Sequence, residues 1–174
     1  LLELGVPVLG ICYGMQLMAA SLGGQVKPAP QREFGHATVA VQDGGAIFDH
    51  IPPEIRVWAS HGVFVTAAPE GFVVSATSAN APVAAMANPS RKLYALLFHP
   101  EVVHTEGGLE LLRNFAYGVC GCSGDWTMAS FVDEAIGRIR AKVGDGRVVC
   151  GLSGGVDSTV AALIVHRAIG ERLT

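Results

Sequence analysis

The sequence predicts an α/β fold, in which a parallel sheet with antiparallel insertions is followed by the first strand, loop and helix of a second α/β domain. Two stretches carry this prediction, since each places an apolar strand, a glycine-containing turn and a helix in succession. The first spans residues 6–22. The second spans residues 147–169 and begins with a short strand predicted at 147–151. Between them, short apolar runs separated by Gly and Pro turns are typical of inserted strands.

Composition limits the classes of function that remain open. Half of the 174 residues are hydrophobic and 16% are charged, which supports a buried core and excludes a disordered chain. The net charge is -3, and the few basic residues at 138–147 have the spacing of a solvated helix face, so we expect no nucleic-acid partner. Residues 1–22 are apolar but lack a basic start and are interrupted by Gly and Pro, which argues against a targeting segment or a membrane span.

The cysteines indicate reduced thiols and a cytoplasmic location. There are four of them, and they are scattered along the chain. Cys120 and Cys122 lack both the spacing and the companion Cys/His pair of a zinc site, so we predict no metal there.

The same patterns assign the remaining elements. Strands are predicted at residues 37–41, 55–60, 72–77, 83–87 and 93–98, a turn at 43–45, and a Pro-containing polar loop at 25–34. Helices are predicted over about 107–119, from an N-cap at Thr127 to 143, and over 158–169. The small, loop-like run at 118–124 predicts a boundary between domains 1–121 and 122–174.

Both ends of the sequence predict that it is a piece of a longer protein. It lacks an initiator Met, begins at the edge of a buried strand and ends just after a helix. The second segment is also too short to bury a core alone, so we expect it to continue in a longer chain.

The first strand-to-helix turn carries a candidate nucleophile, Cys12. Gly10 and Gly14 lie two residues to either side, and glycine at these positions permits the sharp turn of a nucleophile elbow. The N-terminus of the following helix is expected to lower the pKa of the thiol. The alternative interpretation is a buried structural cysteine.

A candidate base lies at the end of the strand at 93–98, in the motif His99-Pro100-Glu101. Extended residues two apart point to the same side, so Glu101 can fix the tautomer of His99 and stabilise its imidazolium. A simple turn is the alternative, but together with the elbow the motif predicts a Cys-His-Glu triad. His61 is the rival base; having no carboxylate near it in sequence, it is assigned to a substrate loop or to a satisfied polar contact.

The second strand-to-helix turn predicts a phosphate-binding loop. Its backbone N–H groups and hydroxyls, with the helix N-terminus, suit an anion, and the absence of a following Lys distinguishes it from a Walker A loop. The candidate residues are Ser153, Gly154, Gly155, Val156, Asp157, Ser158 and Thr159. Asp157 is either a helix N-terminal carboxylate or a ligand for the Mg²⁺ that accompanies a nucleotide.

These motifs, in this order, resemble the glutamine-hydrolysing GMP synthetase family. The matching stretches are Gly10-Ile11-Cys12-Tyr13-Gly14-Met15-Gln16, Arg32-Glu33-Phe34-Gly35, Ser60-His61-Gly62, His99-Pro100-Glu101-Val102 and Leu152-Ser153-Gly154-Gly155-Val156-Asp157-Ser158. The resemblance implies part of a flavodoxin-like class I glutamine amidotransferase sheet. It also implies the start of an N-type ATP pyrophosphatase, a Rossmann-like domain of the adenine-nucleotide α-hydrolase kind. The family usually has Asp where this chain has Val63.

The resemblance implies roles for the first set of residues. Cys12 would form a glutamyl thioester, with His99 shuttling protons to ammonia and Glu101 orienting His99. The residues implied to bind glutamine or its oxyanion are Gly10, Tyr13, Gln16, Ser60, His61 and Gly62.

The resemblance also implies the second reaction and the partners. The loop at 153–159 would hold the phosphates of Mg-ATP while XMP is adenylated, and ammonia would then displace AMP to give GMP. The whole protein would be a homodimer through a C-terminal domain beyond Thr174. Two alternatives stay open: an amidotransferase fusion with another adenylated acceptor, and a regulatory module that binds glutamine or ATP without turnover.

Overall fold

The structure, a computed structural model, describes residues 1–42, 45–125 and 127–174. It comprises two compact units, Leu1–Cys122 and Ser123–Thr174. Strands and helices alternate with antiparallel insertions, so the predicted α/β class is confirmed. Residues 43 and 44 of the turn predicted at 43–45 lie outside the described residues.

The described residues of the first unit include one mixed sheet of six strands. The strands are β1 (Val8–Ile11), β2 (Gln25–Val41), β3 (Glu54–Ala67), β4 (Val73–Ser78), β5 (Ala85–Asn88) and β6 (Leu93–Leu96). Their order is β1-β6-β5-β4-β2-β3, with β1 and β6 parallel and the other neighbours antiparallel. Helix α1 (Tyr13–Ser21) follows β1, and α2 (Gly108–Arg113) continues into a π-helical turn at Asn114–Val119.

The parallel pair β1–β6 brings two distant parts of the sequence to one edge of the sheet. Its register runs from Val8 opposite Leu93 to Ile11 opposite Leu96. The backbone N–H of Cys12 extends the pairing by donating to the Leu96 carbonyl at 2.8 Å. The residues that follow β1 and those that follow β6 therefore leave the sheet side by side.

The strand β6 and the residues after it are covered on both faces. Leu96 and Phe98 belong to one buried cluster, which includes Leu111 of α2. Leu97 faces the opposite way, into a second cluster that contains Met15 of α1. Because side chains alternate along an extended chain, burial on both faces fixes the direction in which this segment emerges.

The prediction of a loop at 25–34 is wrong, because these residues form the first half of β2. Residues 25–28 and 33–34 pair with β3, which runs on to Ala67 instead of ending at 60. The register shifts between Gln25 and Val26 and again between Pro28 and Glu33. In the part of the chain that the structure describes, β4 pairs with β2 only at Val39–Val41, so the first half of β2 has no strand on its other edge and Pro can be accommodated there. A partner strand distant in sequence thus outweighs local polar composition.

The described residues of the second unit form two α-helices, α3 (Met128–Val143) and α4 (Val156–Ile169). Thr127 caps α3 as predicted, in a reciprocal capping box with Ser130. The strand predicted at 147–151 is reduced to a single parallel bridge between Val148 and Leu173, since the only partner it finds among the described residues is the short segment after α4.

Among the described residues, no helix is long and apolar enough to cross a membrane.

Candidate active site

Cys12 occupies a strained turn between β1 and α1. Its backbone has φ 51° and ψ -104°, a conformation that non-glycine residues rarely adopt and that is typical of a nucleophile elbow. Gly10 makes this turn possible: a Cβ there would lie 2.8 Å from the carbonyl carbon of Gly14 and 2.9 Å from its oxygen. Gly14 itself has open space around its own Cβ position, so only the first of the two flanking glycines is sterically required.

The environment of the Cys12 thiol keeps it protonated. Burial raises the pKa of Cys12, and the negative charge of Glu101 raises it further, while the backbone N–H of Tyr13 acts in the opposite direction. The expectation that the helix N-terminus lowers this pKa is therefore wrong in its net direction, because desolvation of the thiolate outweighs the hydrogen bond. A neutral thiol needs a base to take its proton during attack.

His99 and Glu101 supply such a base. The imidazole Nδ1 of His99 lies 2.6 Å from Oε1 of Glu101. A proton on Nδ1, facing the carboxylate, leaves the Nε2 lone pair free to accept another proton. The backbone N–H of His99 donates to the carbonyl of Trp58 at 3.0 Å, which ties the segment to β3.

The candidate nucleophile and base lie at the same edge of the sheet, close enough for charge interactions. Cys12 and His99 follow the parallel strands β1 and β6, and the charge of Glu101 is close enough to raise the pKa of Cys12. Strand β3 contacts both groups. Its Trp58 carbonyl accepts the backbone N–H of His99, and its Ser60 carbonyl lies 3.7 Å from the Cys12 sulfur. The structure thus brings together the three residues of the predicted triad.

One of the two roles predicted for His61 required it to lie in a substrate loop, and it does not lie in a loop. It is a residue of β3, only 6% exposed, and its Nε2 lies 3.2 Å from Oε2 of Glu33 on β2. The other oxygen of Glu33 accepts from Nδ2 of Asn80 at 2.8 Å. The predicted satisfied polar contact of His61 therefore fits the structure at Nε2 but not at Nδ1. The carboxylate, which is distant from His61 in sequence, comes from the paired strand β2, within the motif Arg32-Glu33-Phe34-Gly35.

The protonation state of His61 follows from its burial. Burial lowers the pKa of His61, the charge of Glu33 opposes this, and the nearby His99 adds to the lowering. A neutral imidazole that donates from Nε2 to Glu33 leaves Nδ1 as an acceptor, and this atom is buried with no hydrogen-bond partner among the described residues.

Other candidate glutamine ligands are already engaged by β3. The side-chain amide of Gln16 donates to the carbonyl of Val63 at 2.9 Å. This contact uses the backbone of residue 63, so it does not depend on the side chain at which this chain departs from the resembled family. Gly62 lies beneath the side chain of Arg32, which would be 3.4 Å from a Cβ at that position.

The predicted phosphate loop is exposed and leads directly into α4. Gly154 has φ +82°, which favours glycine, and Gly155 is the N-cap of the helix. The hydroxyls of Ser158 and Thr159 donate to the Gly155 carbonyl at 3.0 and 2.9 Å, and they therefore brace the turn. The helix begins at Val156, two residues earlier than predicted, which leaves its first N–H groups facing the loop.

The one carboxylate of this loop suits Mg²⁺ only if phosphate groups supply further ligands. Asp157 lies in the first turn of α4, and the described residues contain no group of three His, Cys, Asp or Glu side chains that could hold a metal. Mg²⁺ is commonly held by one or two carboxylates together with substrate phosphates and water. A single carboxylate beside a helix N-terminus is compatible with that arrangement.

Two protein families match successive parts of the chain. The model of class-I glutamine amidotransferases matches residues 1–119, and that of NAD synthases matches residues 128–174.

Individual relatives carry consistent names. GMP synthase [glutamine-hydrolyzing] of Geobacillus kaustophilus is 56% identical over 172 residues, and that of Acetivibrio thermocellus is 55% identical; each match covers 99% of this chain and 34% of the relative. A Thermoplasma acidophilum protein of known crystal structure, described as a candidate GMP synthase component, is 40% identical with a TM-score of 0.64, and the match covers 66% of this chain and 57% of that one. The chain thus spans about a third of the length of the curated relatives it matches.

The elbow geometry predicts different effects for the two glycines that flank Cys12. Gly10→Ala places a methyl group against the backbone of α1 and should lower the free energy of unfolding by about 1–3 kcal/mol. Gly14→Ala meets no atom within 4 Å and should change it by less than about 0.5 kcal/mol. Urea denaturation of both variants measures the difference, and equal losses would contradict this account of the turn.

Neutral His61 predicts a pH dependence of stability. Because its pKa is lowered in the folded state, the unfolded chain binds more protons at this site below the unfolded-state pKa of about 6.5. The free energy of unfolding should therefore fall as the pH is lowered from about 7 to 5, and His61→Gln should reduce this slope.

The matched control is His50→Gln, since the His50 side chain is 83% exposed. Urea titrations at three pH values measure the slopes. If wild type and His61→Gln lost stability in parallel, His61 would not be the group responsible.

Proposed function

Because this chain belongs to the class-I glutamine amidotransferase family, we propose that it hydrolyses the side-chain amide of glutamine and supplies the ammonia for GMP synthesis. The observation that carries the proposal is the convergence, at the ends of β1 and β6, of a strained Cys12 and a His99 paired with Glu101. We further propose two domains, residues 1–121 for glutamine hydrolysis and residues 122–174 for the beginning of the nucleotide site.

In the proposed mechanism, the sulfur of Cys12 attacks the side-chain carbonyl carbon of glutamine. His99 takes the thiol proton at Nε2 and passes it to the leaving nitrogen, so that ammonia departs and a glutamyl thioester remains. A water molecule, deprotonated by the same imidazole, then cleaves the thioester to glutamate and restores the thiol. Glu101 stabilises the imidazolium at both steps through its short contact with Nδ1.

The remaining residues of the glutamine site hold the substrate or its oxyanion. The proposed set is Gly10, Tyr13, Gln16, Ser60, His61 and Gly62. The backbone N–H of Tyr13 lowers the pKa of the Cys12 thiol, against the effect of burial, and it is the proposed donor to the oxyanion that forms on the attacked carbonyl. The proposed contribution of His61, which is buried in β3, is made through the contact of its Nε2 with Glu33.

In the second domain, the loop from Ser153 to Thr159 is proposed to bind the phosphates of ATP. Backbone N–H groups at the start of α4 and the positive φ of Gly154 suit a closely approaching anion. Asp157 is the residue that would hold Mg²⁺, which would neutralise phosphate charge when bound. The bracing of Ser158 and Thr159 against Gly155 keeps this turn in one shape.

The proposed acceptor is XMP, which would be adenylated at its xanthine oxygen and then aminated by ammonia. The products are GMP, AMP, pyrophosphate and glutamate. Support comes from the relatives named GMP synthase [glutamine-hydrolyzing], which are 55–56% identical to this chain. We place this purine-biosynthetic ligase in the cytoplasm, as a homodimer whose contact lies in a C-terminal domain outside this sequence.

The match of residues 128–174 to the NAD synthase family favours a second candidate. An ATP-dependent amidation of a different adenylated acceptor would use the same loop and the same ammonia. Dependence of AMP release on XMP, as against other acceptors, distinguishes the two.

The nucleophile assignment predicts separable activities in the full-length protein. Cys12→Ala should abolish GMP formation with glutamine, since no thioester can form, while ammonium still supports it in the presence of XMP and Mg-ATP. AMP and GMP release measure both reactions, with Cys122→Ala as a control because Cys122 is an exposed cysteine outside both proposed sites. Glutamine use that survives Cys12→Ala would disprove the triad, and absence of XMP-dependent AMP with either nitrogen donor would disprove the acceptor.

A further inference from the structure

Thr105 links the backbone of His99 to strand β3. It lies in the turn after the His99-Pro100-Glu101 motif and is 7% exposed. Its hydroxyl donates to the carbonyl of His99 at 2.6 Å and accepts the backbone N–H of Trp58 at 3.0 Å. The hydroxyl therefore donates to the segment that carries the candidate base and at the same time accepts from β3.

The same two residues are also bonded directly. The N–H of His99 donates to the carbonyl of Trp58 at 3.0 Å. In a hydrogen-bonded pair of antiparallel strands, facing residues exchange two direct N–H to carbonyl bonds. Here one of the two is replaced by a relay through the hydroxyl of Thr105, so that Trp58, Thr105 and His99 form a closed hydrogen-bonded ring.

Glu106, the residue after Thr105, attaches the same turn to β3 through bonds that do not involve His99. The backbone N–H of Glu106 donates to the Arg56 carbonyl at 2.9 Å, and its Oε2 accepts the N–H of Arg56 at 3.1 Å. Thr105 and Glu106 thus bind alternate residues of β3, Trp58 and Arg56, by the same kind of side chain to backbone contact. Only the contact of Thr105 extends to His99.

We propose that Thr105 is a positioning residue for His99, an inference that rests on the proposed glutamine hydrolysis. Its hydroxyl joins the His99 carbonyl to the Trp58 N–H, while the His99 N–H bonds the Trp58 carbonyl directly. The hydroxyl thus completes the attachment of residue 99 to β3, and so determines where the imidazole emerges above the edge shared with Cys12. Without the hydroxyl, the Trp58 N–H and the His99 carbonyl lose their partner and the backbone at residue 99 is free to shift. Misplacement of about 1 Å costs about 10²-fold in rate.

The test compares side chains at position 105 in the full-length protein. Thr105→Val keeps the shape and removes the hydroxyl, and Thr105→Ser keeps the hydroxyl. Glutamate release from glutamine, with XMP and Mg-ATP present, should show kcat reduced about 10- to 100-fold in Thr105→Val with little change in KM. Thr105→Ser should retain most of kcat, and ammonium-dependent GMP formation should be unchanged in both.

Glu106→Ala is the matched control, because it removes an equivalent contact to β3 from the same turn and should leave kcat for glutamine near wild type. Thr105→Ala, set against Thr105→Ser, replaces the comparison if the valine variant does not fold. The inference is overturned if the variants without the hydroxyl retain kcat, if Glu106→Ala loses as much, or if Thr105→Ala also fails to fold. Absence of glutamate release by wild type would instead disprove the proposed function.

Discussion

The parallel pairing of β1 with β6 is the contact on which the candidate site depends. It joins residues 8–11 to residues 93–96, and the N–H of Cys12 completes it by bonding to the Leu96 carbonyl. Parallel strands end at the same edge of a sheet, so the elbow and the His99 segment emerge together. Burial of Leu97 and Phe98 on opposite faces then carries that alignment to His99.

The raised pKa of Cys12 explains why the pairing of His99 with Glu101 matters. Cys12 sits in a strained turn, and its thiol is kept neutral by burial and by a nearby carboxylate. Such a thiol gains reactivity only when a correctly oriented base removes its proton, so the short contact between Nδ1 and Oε1 matters more than the helix N-terminus. The strand β3 supports both partners, through Ser60 at the sulfur and Trp58 at the backbone of His99.

Local patterns were sufficient to predict the α/β class, the elbow at Cys12 and the His99-Pro100-Glu101 motif, because each depends on residues adjacent in sequence. Features created by pairing between distant strands were not predictable in this way. Residues 25–34 look like a polar loop until β3 supplies their partner, and the Glu33–His61 contact exists only in that register. The direction of the Cys12 pKa shift was likewise hidden, since it is decided by burial.

The central claim is that Cys12 forms a covalent intermediate with glutamine. Mass spectrometry of the acid-quenched full-length protein, mixed with glutamine and digested, tests it most directly. We predict a glutamyl adduct on the peptide that contains Cys12, and none on the peptides that contain Cys120, Cys122 or Cys150. Release of glutamate with no adduct at Cys12, or with an adduct on another residue, would contradict the account.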